Sequence, residues 1–183
     1  MALSATLYSF EVTLNDADRG VYEALAFRVA RHPSETPEFL LTRVLAYCLE
    51  YAEGIAFSKG LSDPDAPVLA IRDLTGVLMS WIDVGTPDPS RLHRAAKAAP
   101  RVAVYSHKQA APLLARLAAE TVHRASEIEI YEVEPALLAA LAARLERRMC
   151  FDLAVTERSL YLTFDDQTLS GAVALHRLGD AAR

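Results

Sequence analysis

The chain has 183 residues, 52% of them hydrophobic and 23% charged, enough apolar side chain to bury a core and too much for wholesale disorder. Its formal charge of −5 argues against broad, non-specific affinity for nucleic acid, which needs many cations to neutralise phosphates. No run approaches the roughly 18 uncharged apolar residues of a membrane span; Cys48 and Cys150 lack a CxxC spacing or a nearby histidine, which excludes a zinc finger and a disulfide framework and fits the cytoplasm. The length suits one domain over 1–183. The stretch Met1–Phe10 has no basic residue ahead of its apolar ones, unlike a signal peptide, and alternates like a strand.

Tyr8, Phe10, Val12 and Leu14 alternate with polar residues, and Leu25, Phe27 and Val29 repeat the pattern beyond the turn formers of 15–20. That predicts a long β-hairpin. After Arg31-His-Pro-Ser-Glu-Thr-Pro37, apolar residues at helical spacing predict a helix over 36–52, capped by Ser34. A short strand 55–57 follows, then strands 68–74 and 77–84 around Thr75-Gly76. Asp88 and Pro89 suit the start of a helix reaching about 99. Strand 102–105, helix 110–122 and strand 128–131 complete two β-α-β steps, a helix runs from Pro135 to about 148, and strands 150–156, 159–164 and 169–175 close the chain. This order predicts an α/β fold, a mixed β-sheet with helices on both faces.

Asp83 stands out because it shares one face of an apolar strand with Val77, Met79 and Trp81. A buried carboxylate needs a metal, a proton or a cationic partner. It also ends its strand just before a glycine and a helix, where ligands commonly bind in open α/β sheets. A two-residue turn at Thr75-Gly76 sets Val68 across from Asp83, and a longer one brings Asp65 level with it. Topology expects Lys59, Glu35, Arg91 and Arg94 at the same edge. Carboxylates, a lysine and arginines together suit a divalent metal and an anionic phosphate; the alternative is an Asp83 that caps a turn or pairs with an arginine. From Pro89 to Arg116 the chain carries six basic residues and no acidic one, and the remainder has 13 basic against 24 acidic residues. Such a segment is either a footprint for a polyanion or a solvated face balancing acidic neighbours. Glu127, Glu129, Glu132 and Glu134 read as a solubilising strand border.

Several blocks, in order, are Arg31-His-Pro-Ser-Glu-Thr36, Lys59-Gly-Leu-Ser-Asp63, Asp73-Leu-Thr-Gly76, Trp81-Ile-Asp-Val-Gly85 and Val104-Tyr-Ser106. Over nearly the whole chain this pattern resembles the YaeQ family of bacterial proteins. The resemblance implies a restriction-endonuclease-like core with N- and C-terminal strand extensions. That superfamily carries Pro-Asp and (Asp/Glu)-x-Lys on successive strands, binds Mg²⁺ and cleaves phosphodiesters. Asp83 matches the acidic position. Gly85 stands at the lysine position and Pro67-Val68 at Pro-Asp, so Asp65 or Asp63 would have to supply the second acid, and Lys59, Arg91 or Lys97 the cation.

Two functional expectations follow. In one, the chain is a Mg²⁺-dependent nuclease or phosphodiesterase. Asp83 and Asp65 hold the metal, Lys59 stabilises charge or orients water, Glu35 assists as ligand or base, and Arg91 and Arg94 grip phosphate. In the other, the scaffold is catalytically inactive and binds nucleic acid or a protein. Either way the expected molecule is a monomer with no membrane partner.

Overall fold

The computed structural model describes residues 5–58, 65–165 and 167–180. In chain order its elements are β1 (Thr6–Asp16), β2 (Val21–Arg31), α1 (Pro37–Leu49), β3 (Ile55–Phe57), β4 (Leu69–Arg72), β5 (Leu78–Val84), α2 (Pro89–Ala98), β6 (Arg101–Ser106), α3 (Ala111–Ala119), β7 (Glu129–Val133), α4 (Pro135–Ala142), β8 (Arg148–Thr156), β9 (Ser159–Phe164) and β10 (Gln167–His176). A 3₁₀ turn, Ala125–Glu127, precedes β7. The chain is mixed α/β, as its periodicities predict. It divides into two compact units: Met1–Leu49 with Val133–Ala174, and Glu50–Glu132 with Leu175–Arg183.

The first unit is built on strands in the order β2-β1-β8-β9-β10. The expected hairpin is longer than its apolar alternation, pairing from Thr6↔Arg31 to Asp16↔Val21. β8 then joins β1 in parallel, from Ser9↔Arg148 to Asp16↔Val155, and β9 and β10 continue as an antiparallel meander. Alternate residues, among them Phe10, Val12, Leu14, Val29, Phe151 and Leu153, are buried. Phe27 stacks on Phe10 and meets Tyr47 of α1 at a tilt, with ring centroids 5.6 and 4.4 Å apart. Thr36, not Ser34, caps α1: its Oγ1 accepts the Phe39 N–H at 3.2 Å. Ser34 is occupied instead by His32, whose Nδ1 lies 2.6 Å from its hydroxyl. α4 ends at Ala142, well short of 148, because the parallel ladder with β1 claims the chain from Arg148 onward. The Arg144 and Leu145 N–H groups fold back onto Leu141 and Ala142 carbonyls to make the stop.

The second unit carries strands in the order β7-β6-β5-β4-β3. β3, β4 and β5 are antiparallel, while β5, β6 and β7 run parallel, joined by α2 and α3. Trp81, Leu92, Val104, Leu113, Leu117 and Ile130 form its core. Each such side chain removed from water contributes about 1.5–3 kcal/mol. Gly54 holds φ at +85°, and a Cβ there would sit 1.9 Å from the Arg72 carbonyl oxygen, so only glycine lets the chain pass this close to β4. No described helix is long and apolar enough to cross a membrane.

Candidate functional site

Leu69 pairs with Ile82 and Ala70 with Trp81. One step further along this ladder sets Val68 level with Asp83; the register shifts between Ile71 and Arg72, which offsets a turn one residue longer than the two-residue turn expected at Thr75-Gly76. Asp73 builds that turn by accepting the Thr75 and Val77 N–H groups and the Thr75 hydroxyl at 2.7–2.9 Å. The Val68 N–H points at Asp83 Oδ1, 3.3 Å away.

Asp83 is buried, with 1% of its surface exposed. Its counter-charge is Arg91, one turn into α2. Arg91 Nε donates to Oδ2 at 2.7 Å and Nη2 to Oδ1 at 2.8 Å. The same Nη2 also donates to the Ala66 carbonyl at 2.7 Å, and the guanidinium carbon lies 5.5 Å from the centre of the Trp81 ring. A planar fork against a carboxylate is the strongest ion pair that protein side chains make. It ties the end of β5, the approach to β4 and the first turn of α2 together. Asp88 precedes that turn, yet its carboxylate accepts from Arg116 Nη2 at 2.7 Å instead of capping the helix.

The other expected site residues distribute as follows. Asp65 and Arg94 meet at 3.2 Å, but their side chains are 75% and 53% exposed, so the contact adds little. Glu35 lies in the first unit, in the turn before α1. Its Oε2 accepts from Arg43 at 2.8 Å and from the His32 N–H at 3.0 Å, and its carbonyl takes both Nε and Nη2 of Arg31. There it fixes the approach to α1. Lys59 and Asp63 lie outside the described residues.

The described residues do not suit a magnesium ion at Asp83. Both of its oxygens are engaged by Arg91, and among the described residues no group of three or more His, Cys, Asp and Glu side chains is arranged to hold a metal. Magnesium asks for oxygen ligands in near-octahedral array, and a guanidinium in that position repels it.

A second polar cluster escapes a reading of the sequence. Glu50, just beyond α1 and only 8% exposed at its side chain, takes Arg101 Nη1 at 2.6 Å, Arg101 Nη2 at 3.0 Å and the Tyr105 hydroxyl at 2.8 Å. Arg101 also reaches Glu129 at 2.6 Å, and Arg177 holds the other oxygen of Glu129 at 2.8 Å. The Tyr105 and Tyr131 rings stack at 4.7 Å, following their pairing across β6 and β7. Burial raises the Tyr105 phenol, and the neighbouring Glu50 charge raises it further. Burial opposes ionisation of Glu129, but Arg101 and the hydrogen bonds from Arg177 outweigh it and hold the carboxyl below the usual range. Only the matched tyrosines signal this cluster in the sequence. The acidic run therefore braces the fold and is no mere solubilising border: Glu129 holds arginines, and Glu132 accepts the Ala110 N–H at 2.7 Å. Glu134 accepts that of Ala172 at 2.8 Å.

Comparison with known proteins gives a consistent identity. The family described as YaeQ protein matches residues 1–173. An Escherichia coli (strain K12) protein described as an uncharacterized protein YaeQ is 31% identical over 172 residues, 92% of this chain and 94% of that one. Its Salmonella typhi counterpart, under the same description, is 30% identical over 165 residues, 89% of this chain and 91% of that one. The crystal structure of YaeQ protein from Pseudomonas syringae superposes with a TM-score of 0.84 at 32% identity, covering 93% of this chain and 95% of that one. The YaeQ structure from Xanthomonas axonopodis pv. citri gives 0.80 at 29% identity, covering 95% and 99%. The chain belongs to the YaeQ family.

Proposed function

We infer that this YaeQ chain is a nuclease-like scaffold that works without catalysis, as a protein-binding module. The observation that carries this reading is the closed state of Asp83. The one carboxylate that matches a nuclease position is filled by the fork of Arg91 and the Val68 N–H, and acts as a strut. The basic stretch supports the same reading. Arg91, Arg94, Arg101 and Arg116 each face a carboxylate, which leaves few cations to neutralise a phosphate backbone. A protein partner finds a better surface on the β4–β5 hairpin, where Leu74 is 89% and Val77 57% exposed. Apolar side chains grouped on a surface are what protein interfaces bury.

The test has two arms. Purified protein is incubated with single- and double-stranded DNA and RNA under Mg²⁺ and Mn²⁺, beside Asp83→Asn. The expected result is no cleavage that depends on Asp83 and no salt-sensitive retention. Cleavage lost in a folded Asp83→Asn variant overturns the reading. In cells, a photo-crosslinking residue at Leu74 yields a discrete protein adduct, and the same residue at exposed Glu120 yields none; equal adducts at both overturn it.

A further inference from the structure

The sheet of the first unit has a second side. Phe10 and Met149 are buried, while their strand neighbours Glu11, Arg148 and Cys150 are exposed. Register fixes what stands beside what. Ser9 pairs with Arg28 on β2 and with Arg148 on β8, giving an Arg-Ser-Arg row across three strands. Glu11 pairs with Ala26 and Cys150, giving an Ala-Glu-Cys row beside it. At about 4.8 Å per strand, the two arginine Cα atoms lie roughly 10 Å apart, and the rows are separated by roughly 7 Å. These six residues, with Phe10, Phe27 and Met149 between them along the strands, line a cavity of about 410 Å³. That volume falls within the roughly 300–1,000 Å³ of small-molecule sites.

The charges here are uncompensated. Among the described residues no carboxylate pairs with Arg28 or Arg148, and none of their side-chain donors is taken by another group. Two guanidinia flanking one hydroxyl repel each other unless an anion sits between them, and the planar guanidinium fork matches phosphate oxygens. Glu11, one row away, then asks for a cation or a hydrogen-bond donor. The cavity thus offers two positive charges and one negative charge in fixed order.

We propose that this cavity binds a small, soluble phosphate monoester that carries an amine on a short spacer, a compound of the phosphoethanolamine class. The phosphate lies between Arg28 and Arg148 with the Ser9 hydroxyl donating to it, and the ammonium group faces Glu11. The dianionic phosphate and single ammonium mirror the site's own charges in number and in order. None of these residues belongs to the Asp83 strut or the β4–β5 hairpin, so the proposal stands or falls apart from the reading given above.

Cys150 supplies the readout. It is exposed in the Glu11 row, whereas Cys48 is buried and its thiol is pushed up to about 12. Alkylation by iodoacetamide therefore reports on Cys150. Phosphoethanolamine is expected to slow that alkylation in a saturable way. Inorganic phosphate, which lacks the amine, should require about tenfold higher concentration for half-protection, and ethanolamine should give none. Arg28→Gln and Arg148→Gln should each raise the half-protecting concentration at least about tenfold. Glu11→Gln should erase the preference for phosphoethanolamine over inorganic phosphate. All three substitutions are at exposed strand positions, and circular dichroism confirms that the variants are folded. Absence of protection at millimolar phosphoethanolamine overturns the proposal. So does protection that survives the Arg28→Gln, Arg148→Gln double variant, or a preference that survives Glu11→Gln.

Discussion

In the second unit Arg91 and Arg101 each hold a buried carboxylate at 2.6–2.8 Å, and each bridges separate stretches of chain. In the first unit Arg28 and Arg148 stand exposed on either side of Ser9 without a carboxylate among the described residues. The first unit also has arginines of the other kind: Arg43 is buried against Glu35 and the Ala30 carbonyl, and Arg19 joins Asp16 to the Cys48 carbonyl at the end of α1. The difference lies between cations that the fold consumes and cations that the fold leaves available. In this chain the local density of basic residues points to the wrong set. The six-cation stretch is mostly spent internally, whereas the free pair comes from positions 120 residues apart in a chain whose net charge is negative.

Substitutions break or sharpen this contrast. Asp83→Ala strands the Arg91 guanidinium and the Val68 N–H, and should cost about 3 kcal/mol in urea unfolding, as expected when one partner of a buried pair is removed. A loss below about 1 kcal/mol would move this pair to the class of surface ion pairs. Glu50→Gln removes the charge facing Arg101 but keeps an acceptor for Tyr105, so a smaller loss of about 2 kcal/mol is expected by the same measurement. Acid should act on the same cluster. The Glu129 carboxyl titrates below its unfolded value, so its contribution is complete at neutral pH and is lost as pH falls from the usual glutamate range, about 4.3, through the lower native value. Thermal unfolding from pH 7 to pH 3 should therefore show a shallower acid slope for Glu129→Gln than for the wild type. At the small end, Arg28→Gln and Arg148→Gln should each change stability by no more than about 0.5 kcal/mol. A larger loss would mean that these arginines, too, belong to the framework.

The order of strands and helices was legible from the sequence because apolar side chains recur with the period of the element they build, as in Phe10-Val12-Leu14 or Leu40-Leu41-Val44-Leu45. Element ends were less legible. α4 stops at Ala142 although Leu145 continues its apolar pattern, because a parallel ladder with a strand formed at the opposite end of the chain takes over. No local signal carries that competition. At the site, Val68 stands level with Asp83 as a two-residue turn would have it, but it does so through a register shift between Ile71 and Arg72 that offsets a turn one residue longer, and no local signal carries that shift; an arginine partner was among the foreseen outcomes for that carboxylate. The cluster around Glu50 was hidden because its other members lie 51 to 127 positions from Glu50 and each acid or arginine in it looks like an ordinary surface charge. Sheet order, which sets Ser9 between Arg28 and Arg148, was hidden for the same reason.

The parallel pairing of β1 with β8 sets a timetable for synthesis. Ser9 leaves the ribosome about 140 residues before Arg148, its partner in the ladder, an interval of roughly 7–28 s at ~5–20 residues per second. Throughout that interval one edge of the nascent hairpin has no strand to pair with, and an open edge is a template for foreign strands. The second unit draws almost all of its residues from one continuous segment, Glu50–Glu132, and can collapse while the first still waits. Early termination of translation would accordingly release a chain with an unprotected N-terminal edge, a substrate for chaperones and proteases.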